Sequence, residues 1–132
     1  MKNPRELPGF TKRSFSIPFG GGEIWIEHLD GLYNNTELVL EKLTEDSVLF
    51  LRPSETSLIC FNIDETVITD EIINSISDVL TNPKKQFRKV CFVGSNRTTK
   101  KLLKRALDRK DFMLEFINDF EKAKDWHISA RR

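Results

Sequence analysis

The chain has 132 residues, of which 39% are hydrophobic and 31% charged, with a formal net charge of +1. This length is typical of one domain and this composition is too apolar for a disordered chain, so we predict a single domain that folds without disulfides or a metal. No run approaches the roughly 18 consecutive apolar residues of a membrane span and the N-terminus lacks the apolar core of a secretory signal, so we expect a cytoplasmic protein.

The small net charge conceals a strong polarity along the chain. Residues 1–80 contain 6 Lys and Arg against 14 Asp and Glu, whereas residues 81–132 contain 15 against 6. Within residues 81–110 there are 11 basic residues and one acidic residue, Asp108. An acidic half and a basic half therefore follow one another in the sequence.

The N-terminal elements begin with an arm and a hairpin. Residues 1–12 contain prolines and a glycine without periodicity, so we predict a flexible N-terminal arm there and place the domain at residues 13–132. Residues 14–18 and 23–28 flank a Phe-Gly-Gly-Gly turn, and the second segment alternates apolar and polar positions. This pattern predicts two short strands joined as a β-hairpin.

A helix is predicted next. Asn34 and Glu37 have the spacing of a capping box, and apolar residues follow on one helical face. The apolar run at residues 47–51 is too short for its periodicity to decide whether it continues the helix or forms a strand.

The remaining sequence alternates strands and helices. Residues 57–63, 89–93 and 112–117 are apolar runs that predict strands. Helical apolar spacing follows each of them, at Ile72–Leu80, at Leu102–Leu107 and after a second capping-box pattern at Asn118. Such alternation is typical of a parallel sheet covered by amphipathic helices, which makes α/β the predicted fold class.

No enzymatic template is present. Cys60 and Cys91 lie in apolar runs without a second ligand at metal-binding spacing, so we interpret both as reduced core residues. His28 and His127 lie in different elements with no partners that would form a triad or a metal site, and we interpret them as surface or second-layer residues. We therefore predict no catalytic residues, no cofactor and no metal, and rank a small enzyme last among the hypotheses.

Two segments are candidates for binding. The loop Ser95-Asn96 leads into a basic helix over residues 98–110, where an anion, an acidic partner or a nucleic-acid backbone would find positive charge; the alternative is an ordinary capped turn and a solvated helix face. The basic candidates there are Lys100, Lys101, Lys104 and Arg105. Nucleic acid is the less favoured partner, because the segment shows no exposed aromatic residues for base stacking.

The second candidate is the acidic junction at residues 64–71. Thr69 is a competent N-cap, and Asp70 and Glu71 would stabilise a helix start through the helix dipole. Asp64 precedes them in the same junction. Helix-start chemistry is sufficient to explain these residues, and a switch or partner-binding role is the competing hypothesis.

The residues from Leu58 to Trp126 resemble the STAS domain and its SpoIIAA-like group, to which anti-sigma factor antagonists belong. In that family a buried strand leads through a short loop into a helix, as the stretch 61–71 does here. The strand 90–93 with Gly94, and the terminal stretch 116–123, match the following family elements in pattern. The resemblance implies a STAS-like mixed sheet and a nonenzymatic, bacterial regulatory module that binds another protein, such as an anti-sigma or kinase-like regulator.

The resemblance also places a regulatory position in the acidic junction. Family antagonists are switched by phosphorylation of a serine that follows an aspartate; by register that serine is Asp70 here and the aspartate is Thr69, while the family glycine is missing. Two hypotheses follow: Asp70 is a fixed negative charge at the switch position, or Thr69 is the phosphate acceptor. The oligomeric state stays open, with a dimer among the alternatives.

Overall fold

The computed structural model describes residues 7–19, 22–51, 56–83, 85–108 and 112–117. In chain order the elements are α1 (Pro8–Thr11), β1 (Phe15–Phe19), β2 (Gly22–His28), α2 (Thr36–Phe50), β3 (Thr56–Asn62), α3 (Asp70–Leu80), β4 (Lys89–Val93), α4 (Arg97–Leu107) and β5 (Met113–Ile117). The predicted α/β class is confirmed.

The five strands form one mixed sheet in the order β1-β2-β3-β4-β5. β1 and β2 pair antiparallel as the predicted hairpin, and β2 to β5 are parallel. Each parallel strand lies beside its sequence neighbour, so every connection is a crossover through one helix. Because such crossovers are right-handed, α2, α3 and α4 are carried to the same face of the sheet.

The main core lies between this face and the helices. Alternate strand residues such as Trp25, Ile59 and Phe92 point toward it and pack with the buried stripe of α3, which includes Ile72 and Ile76. The period of two along a strand sends the intervening residues to the opposite face. There a smaller buried cluster comprises Ile24, Ile26, Leu58, Cys60, Cys91 and Val93.

Both cysteines are free and buried, as predicted. They are register partners across β3 and β4. The pKa of the Cys60 thiol is raised well above its ordinary value, first by a side-chain hydrogen bond with Cys91 and second by burial. Both cysteines belong to the buried cluster on the second face of the sheet.

The start and the end of α2 can be compared with the predicted helix. The capping box at Asn34 is wrong: α2 begins at Thr36 with Asn35 as N-cap, and the Asn35 side chain donates to Leu32 O at 2.9 Å without capping the helix. Residues 47–50 continue α2, which resolves the alternative left by the short apolar run. The helix predicted from Asn118 lies outside the described residues.

The predicted flexible arm also differs from the structure over residues 7–12. Pro8–Thr11 form the single turn α1, in which Gly9 is buried because its Cα lies against the carbonyls of Asp30 and Gly31. Lys12 Nζ reaches Asp30 Oδ2 at 2.6 Å. The sequence shows no periodicity here because a single turn, fixed by one close backbone approach, is too short to produce any.

No helix among the described residues is long and apolar enough to cross a bilayer.

Candidate functional site

The carboxyl ends of β2, β3 and β4 share one edge of the sheet, and a groove opens there. In open α/β sheets this edge is where binding sites form, because the loops that follow parallel strands converge on it. The groove has a volume of about 770 Å³ and runs between the loop after β3 and the start of α4. Its lining includes Tyr33, Asp64, Val67, Ser95, Asn96 and Thr98.

Backbone hydrogen bonds hold the loop after β3 against the loop after β2. Gly31 N donates to Asp64 O at 2.8 Å, Tyr33 N to Glu65 O at 2.9 Å, and Val67 N to Tyr33 O at 2.7 Å. These bonds extend the parallel pairing of β2 and β3 beyond the strands. Both loops are therefore fixed by the sheet itself.

Thr66 adds a side-chain link between the same loops. Its hydroxyl donates to Leu29 O at 2.6 Å and accepts from Leu32 N at 3.1 Å. One half-buried hydroxyl thus satisfies two backbone groups that lie beyond the end of β2.

The two loops present a pair of exposed apolar side chains beside the groove. Tyr33 is 53% exposed and Val67 is 56% exposed. Tyr33 and Glu65 both have a positive φ, 51° and 55°, which is uncommon for residues with a side chain. Strained backbone of this kind persists where the surroundings fix it, and it concentrates at functional sites.

The floor of the groove depends on Gly94, at the turn from β4 to α4. Gly94 has a φ of 85°, and a Cβ at this position would lie 2.6 Å from the Cβ of Asp64. Only glycine allows the two loops to approach so closely.

On one side of the groove, α3 begins with an acidic turn. The Thr69 hydroxyl accepts a hydrogen bond from Ile72 N at 3.3 Å, which confirms Thr69 as the N-cap. Asp70 and Glu71 follow in the first turn and are exposed. With the exposed Asp64 and Glu65 of the preceding loop they make a set of four carboxylates, which we call the acidic rim (Asp64, Glu65, Asp70 and Glu71).

On the other side, α4 begins with the opposite charge. Asn96 Oδ1 accepts from Thr99 N at 2.8 Å and is therefore the N-cap. The first turn of α4 contains no acidic residue. Four exposed cations lie along the helix, and we call them the basic face (Arg97, Lys101, Lys104 and Arg105).

Aromatic contacts occupy part of this positive surface. Lys100 Nζ and Lys104 Nζ lie 5.6 Å and 5.8 Å from the centre of the Phe116 ring. The same ring stacks on Phe92 at 5.6 Å. Phe116 is thus engaged on the sheet and is not presented as a platform for a nucleic-acid base.

The structure brings some of the sequence-predicted residues to the carboxyl edge and places others away from it, since Lys104 and Arg105 lie in the last turn of α4. Asp64, Ser95 and Asn96 line the groove. Thr69, Asp70 and Glu71 follow Ile68, which lines the groove, and are not lining residues themselves; Thr69 is half-buried. The basic candidates lie along α4 outside the groove lining: Lys100, Lys101, Lys104 and Arg105.

Sequence reasoning did not single out Tyr33 or Val67. Neither belongs to a regular element, so neither had a periodic pattern that would reveal exposure. The one available signal was the Asp30-Gly31 turn before Tyr33, which marks a loop but does not say that an aromatic residue projects from it.

A second polar cluster is buried between β2 and α2. Glu27 is fully buried, and its Oε1 accepts from Trp25 Nε1 at 2.8 Å, while its Oε2 has no hydrogen-bond partner. Burial, together with the nearby Asp46 carboxylate, raises the pKa of Glu27 to about 9. Glu27 is therefore a neutral acid at pH 7.

Lys42 closes this cluster from α2. Its Nζ donates to Ser14 Oγ at 2.9 Å and to Asp46 Oδ2 at 3.2 Å. Ser14 Oγ in turn donates to Asp46 Oδ2 at 2.8 Å. The cluster attaches α2 to the start of the hairpin. It lies between α2 and the sheet and does not line the groove.

His28, interpreted from sequence as a surface or second-layer residue, is hydrogen-bonded to Asp30 beside this cluster. Its Nδ1 lies 2.8 Å from Asp30 Oδ1, and its side chain is mostly buried. Although burial alone acts to raise it, the hydrogen bonds from His28 and Lys12 lower the pKa of Asp30 to about 2. The pair fixes the loop that carries Tyr33.

Among the residues that the structure describes, no group of three or more potential ligands could hold a metal ion. Comparison of the chain with protein-family models, with curated proteins and with solved structures finds no match.

Proposed function

We propose that this protein is a nonenzymatic regulatory module that binds another protein through the carboxyl edge of its sheet. The observation that carries the proposal is the exposed pair Tyr33 and Val67, held beside a groove by strained and hydrogen-bonded loops. Exposed aromatic and aliphatic side chains on a pre-organised surface are typical anchors of protein interfaces. This proposal agrees with the regulatory role implied by the resemblance to STAS domains.

A STAS-like fold is part of the proposal. Its support is the sheet in which four parallel strands follow one another in chain order, with a helix in each crossover. The acidic junction that the resemblance assigns to regulation lies at the same edge as the exposed pair.

Binding of nucleic acid or an anionic ligand through the basic helix is the weaker candidate. Phe116, the aromatic ring that the described residues place beside the basic face, lies under Lys100 and Lys104 and is engaged by them. Retention on heparin that falls steeply with salt would favour it over the protein-binding proposal.

The protein-binding proposal is tested by capture from a native lysate with matched variants. Val67→Ser removes an exposed valine at the carboxyl edge, and Val48→Ser removes an exposed valine near the carboxyl end of α2, at the other end of the molecule. The wild type and Val48→Ser should retain the same partner, identified by mass spectrometry, and Val67→Ser should lose it. Equal retention by all three proteins would refute the proposed surface.

The regulatory position is tested by mass spectrometry after incubation with cell extract and ATP. If Thr69 is the acceptor, the modified threonine should be found; if Asp70 is a fixed charge, Thr69 stays unmodified. A phosphate on Thr69 would stand at the amino end of α3, where the helix dipole favours negative charge. Asp70→Asn should reduce capture of the partner under the fixed-charge hypothesis alone.

A further inference from the structure

The carboxyl edge carries two opposite charges on the two sides of one groove. The acidic rim stands on the side of β3 and α3, and the basic face begins on the side of α4. Within the described chain, no ion pair joins any of these eight side chains to another residue. Lys104 lies over the Phe116 ring and Glu65 accepts from the Tyr33 hydroxyl at 3.5 Å, and the charges of the other six side chains are available to a partner.

Resting on the proposed function, we propose that this edge binds a second copy of the chain about a two-fold axis. The acidic rim of each copy then faces the basic face of the other. In a two-fold interface every contact occurs twice, so a surface with acid on one side and base on the other is complementary to itself.

The charges of α4 are the first argument for a negative partner. Arg97 and Lys101 lie in the first turns of α4, where the helix dipole already places positive charge. A helix start ordinarily carries acidic residues, as α3 does with Asp70 and Glu71. The acidic rim of a second copy supplies the negative charge that the start of α4 lacks. Residues that oppose a local structural preference, as Arg97 does here, concentrate at functional surfaces.

The exposed apolar pair is the second argument. Interfaces combine charged surroundings with a desolvated apolar centre, and Tyr33 and Val67 provide such a centre next to the acidic rim. The groove gives these side chains of a facing copy a recess to enter. Contacts between surface charges are screened by salt, so the dimer should weaken by about tenfold or more between low and high ionic strength.

Sedimentation velocity with charge-reversal variants tests this dimer. The first variant, Glu65→Lys with Glu71→Lys, reverses two of the four carboxylates and so cancels the net charge of the acidic rim. The second, Arg97→Glu with Lys101→Glu, reverses two of the four cations and so cancels the net charge of the basic face. The wild type should dimerise at low salt and each variant alone should be monomeric. An equimolar mixture of the two variants should form a heterodimer, because both kinds of contact are then attractive again.

The mixture also shows that both variants are folded, because two misfolded variants could not form a heterodimer. Asp78→Lys, an exposed reversal near the carboxyl end of α3, is the matched control and should dimerise as the wild type does. A wild type that stays monomeric at low salt and high protein concentration, or a mixture that stays monomeric while the wild type dimerises, would overturn the inference. The Val67 and Val48 capture experiment reports on the proposed function separately, so a monomer that still captures its partner through Val67 contradicts the dimer alone.

Discussion

The starts of α3 and α4 share one geometry and carry opposite charges. Each follows a buried parallel strand, and each is capped by a side chain that accepts from the amide three residues later, Thr69 for α3 and Asn96 for α4. The acids of α3 suit its dipole, whereas Arg97 in the first turn of α4 opposes the dipole of that helix. Helix formation thus explains the caps and the acidic turn, and it does not explain the basic one, which points to an interaction outside the helix.

The attachment of α2 to the sheet differs from the capped starts of α3 and α4. It is expected to give the largest effect on stability, through the ionisation of Glu27. α2 has no side-chain cap and is held by the buried polar cluster around Glu27. Glu27 keeps its proton up to about pH 9 when folded but ionises near its ordinary value of 4.5 when unfolded. The unfolded state therefore binds fewer protons between these pH values, and stability should fall as the pH rises through them.

Glu27→Gln should remove this loss, because an amide mimics the protonated acid and does not ionise. We expect the variant to match the wild type near pH 4.5 and to exceed its free energy of unfolding by about 1–3 kcal/mol at pH 8, as measured by urea denaturation. Asp78→Asn, an exposed acid outside the cluster, is the control and should follow the wild type. A Gln variant whose advantage does not grow with pH would contradict the neutral state of Glu27.

Gly94→Ala should disrupt the close packing of the loop after β3 against the turn between β4 and α4. The new Cβ would meet Asp64 and would also occupy a left-handed backbone, so we expect a loss of about 2–4 kcal/mol in urea denaturation. Gly31→Ala is the matched control, because Gly31 has a φ of 68° but its Cβ would have room, with the nearest atom at 3.5 Å. It should cost about 1 kcal/mol, and equal losses at both glycines would show that the close approach contributes nothing.

The shared capping geometry predicts similar losses at the two N-caps. Thr69→Ala and Asn96→Ala should each lower the free energy of unfolding by about 1 kcal/mol, since each removes the acceptor of one helix-start amide. Asn74→Ala, an exposed substitution inside α3, should cost nothing or stabilise slightly because alanine is the better helix former. A loss at Asn74 as large as that at the caps would contradict the capping account.

The opposite charges at the starts of α3 and α4 predict changes in stability of opposite sign when one charge is removed from each helix. Glu71→Gln should lower stability and Arg97→Gln should raise it, each by about 0.3–1 kcal/mol at low salt, because each removes one interaction with a helix dipole. Thermal denaturation at low and high salt measures both, and the two effects should shrink together as salt screens them. A destabilised Arg97→Gln would mean that Arg97 serves its own helix and would remove the argument for an external partner.

The sequence predicted regular elements well because their apolar spacing is a local property. β4 was predicted over its full range, and the N-cap at Thr69 lies where the sequence placed it. The capping box at Asn34 failed because the Asn35 side chain turns back to Leu32 O instead of capping α2. Spacing alone does not distinguish these two uses of an asparagine side chain.

The site was predicted in part. The charged residues of the acidic rim and the basic face are visible in the sequence, but their meeting at one groove follows from strand order, which is a long-range property. Tyr33 and Val67 escaped prediction because their exposure depends on backbone bonds between two loops more than 30 residues apart, such as Val67 N to Tyr33 O. The pKa of Glu27 likewise depends on α2 packing over β2, which the strand pattern of 23–28 does not contain.

A hydrogen-exchange footprint of the bound protein measures directly whether the carboxyl edge is the binding surface. Amides of residues 64–69 and 94–101 should exchange more slowly when the partner is bound, whether that partner is a second copy or the protein retained from lysate. Amides at the opposite end, in residues 44–50 and 78–82, should be unchanged. Slower exchange at that opposite end with none at the groove loops would contradict the account.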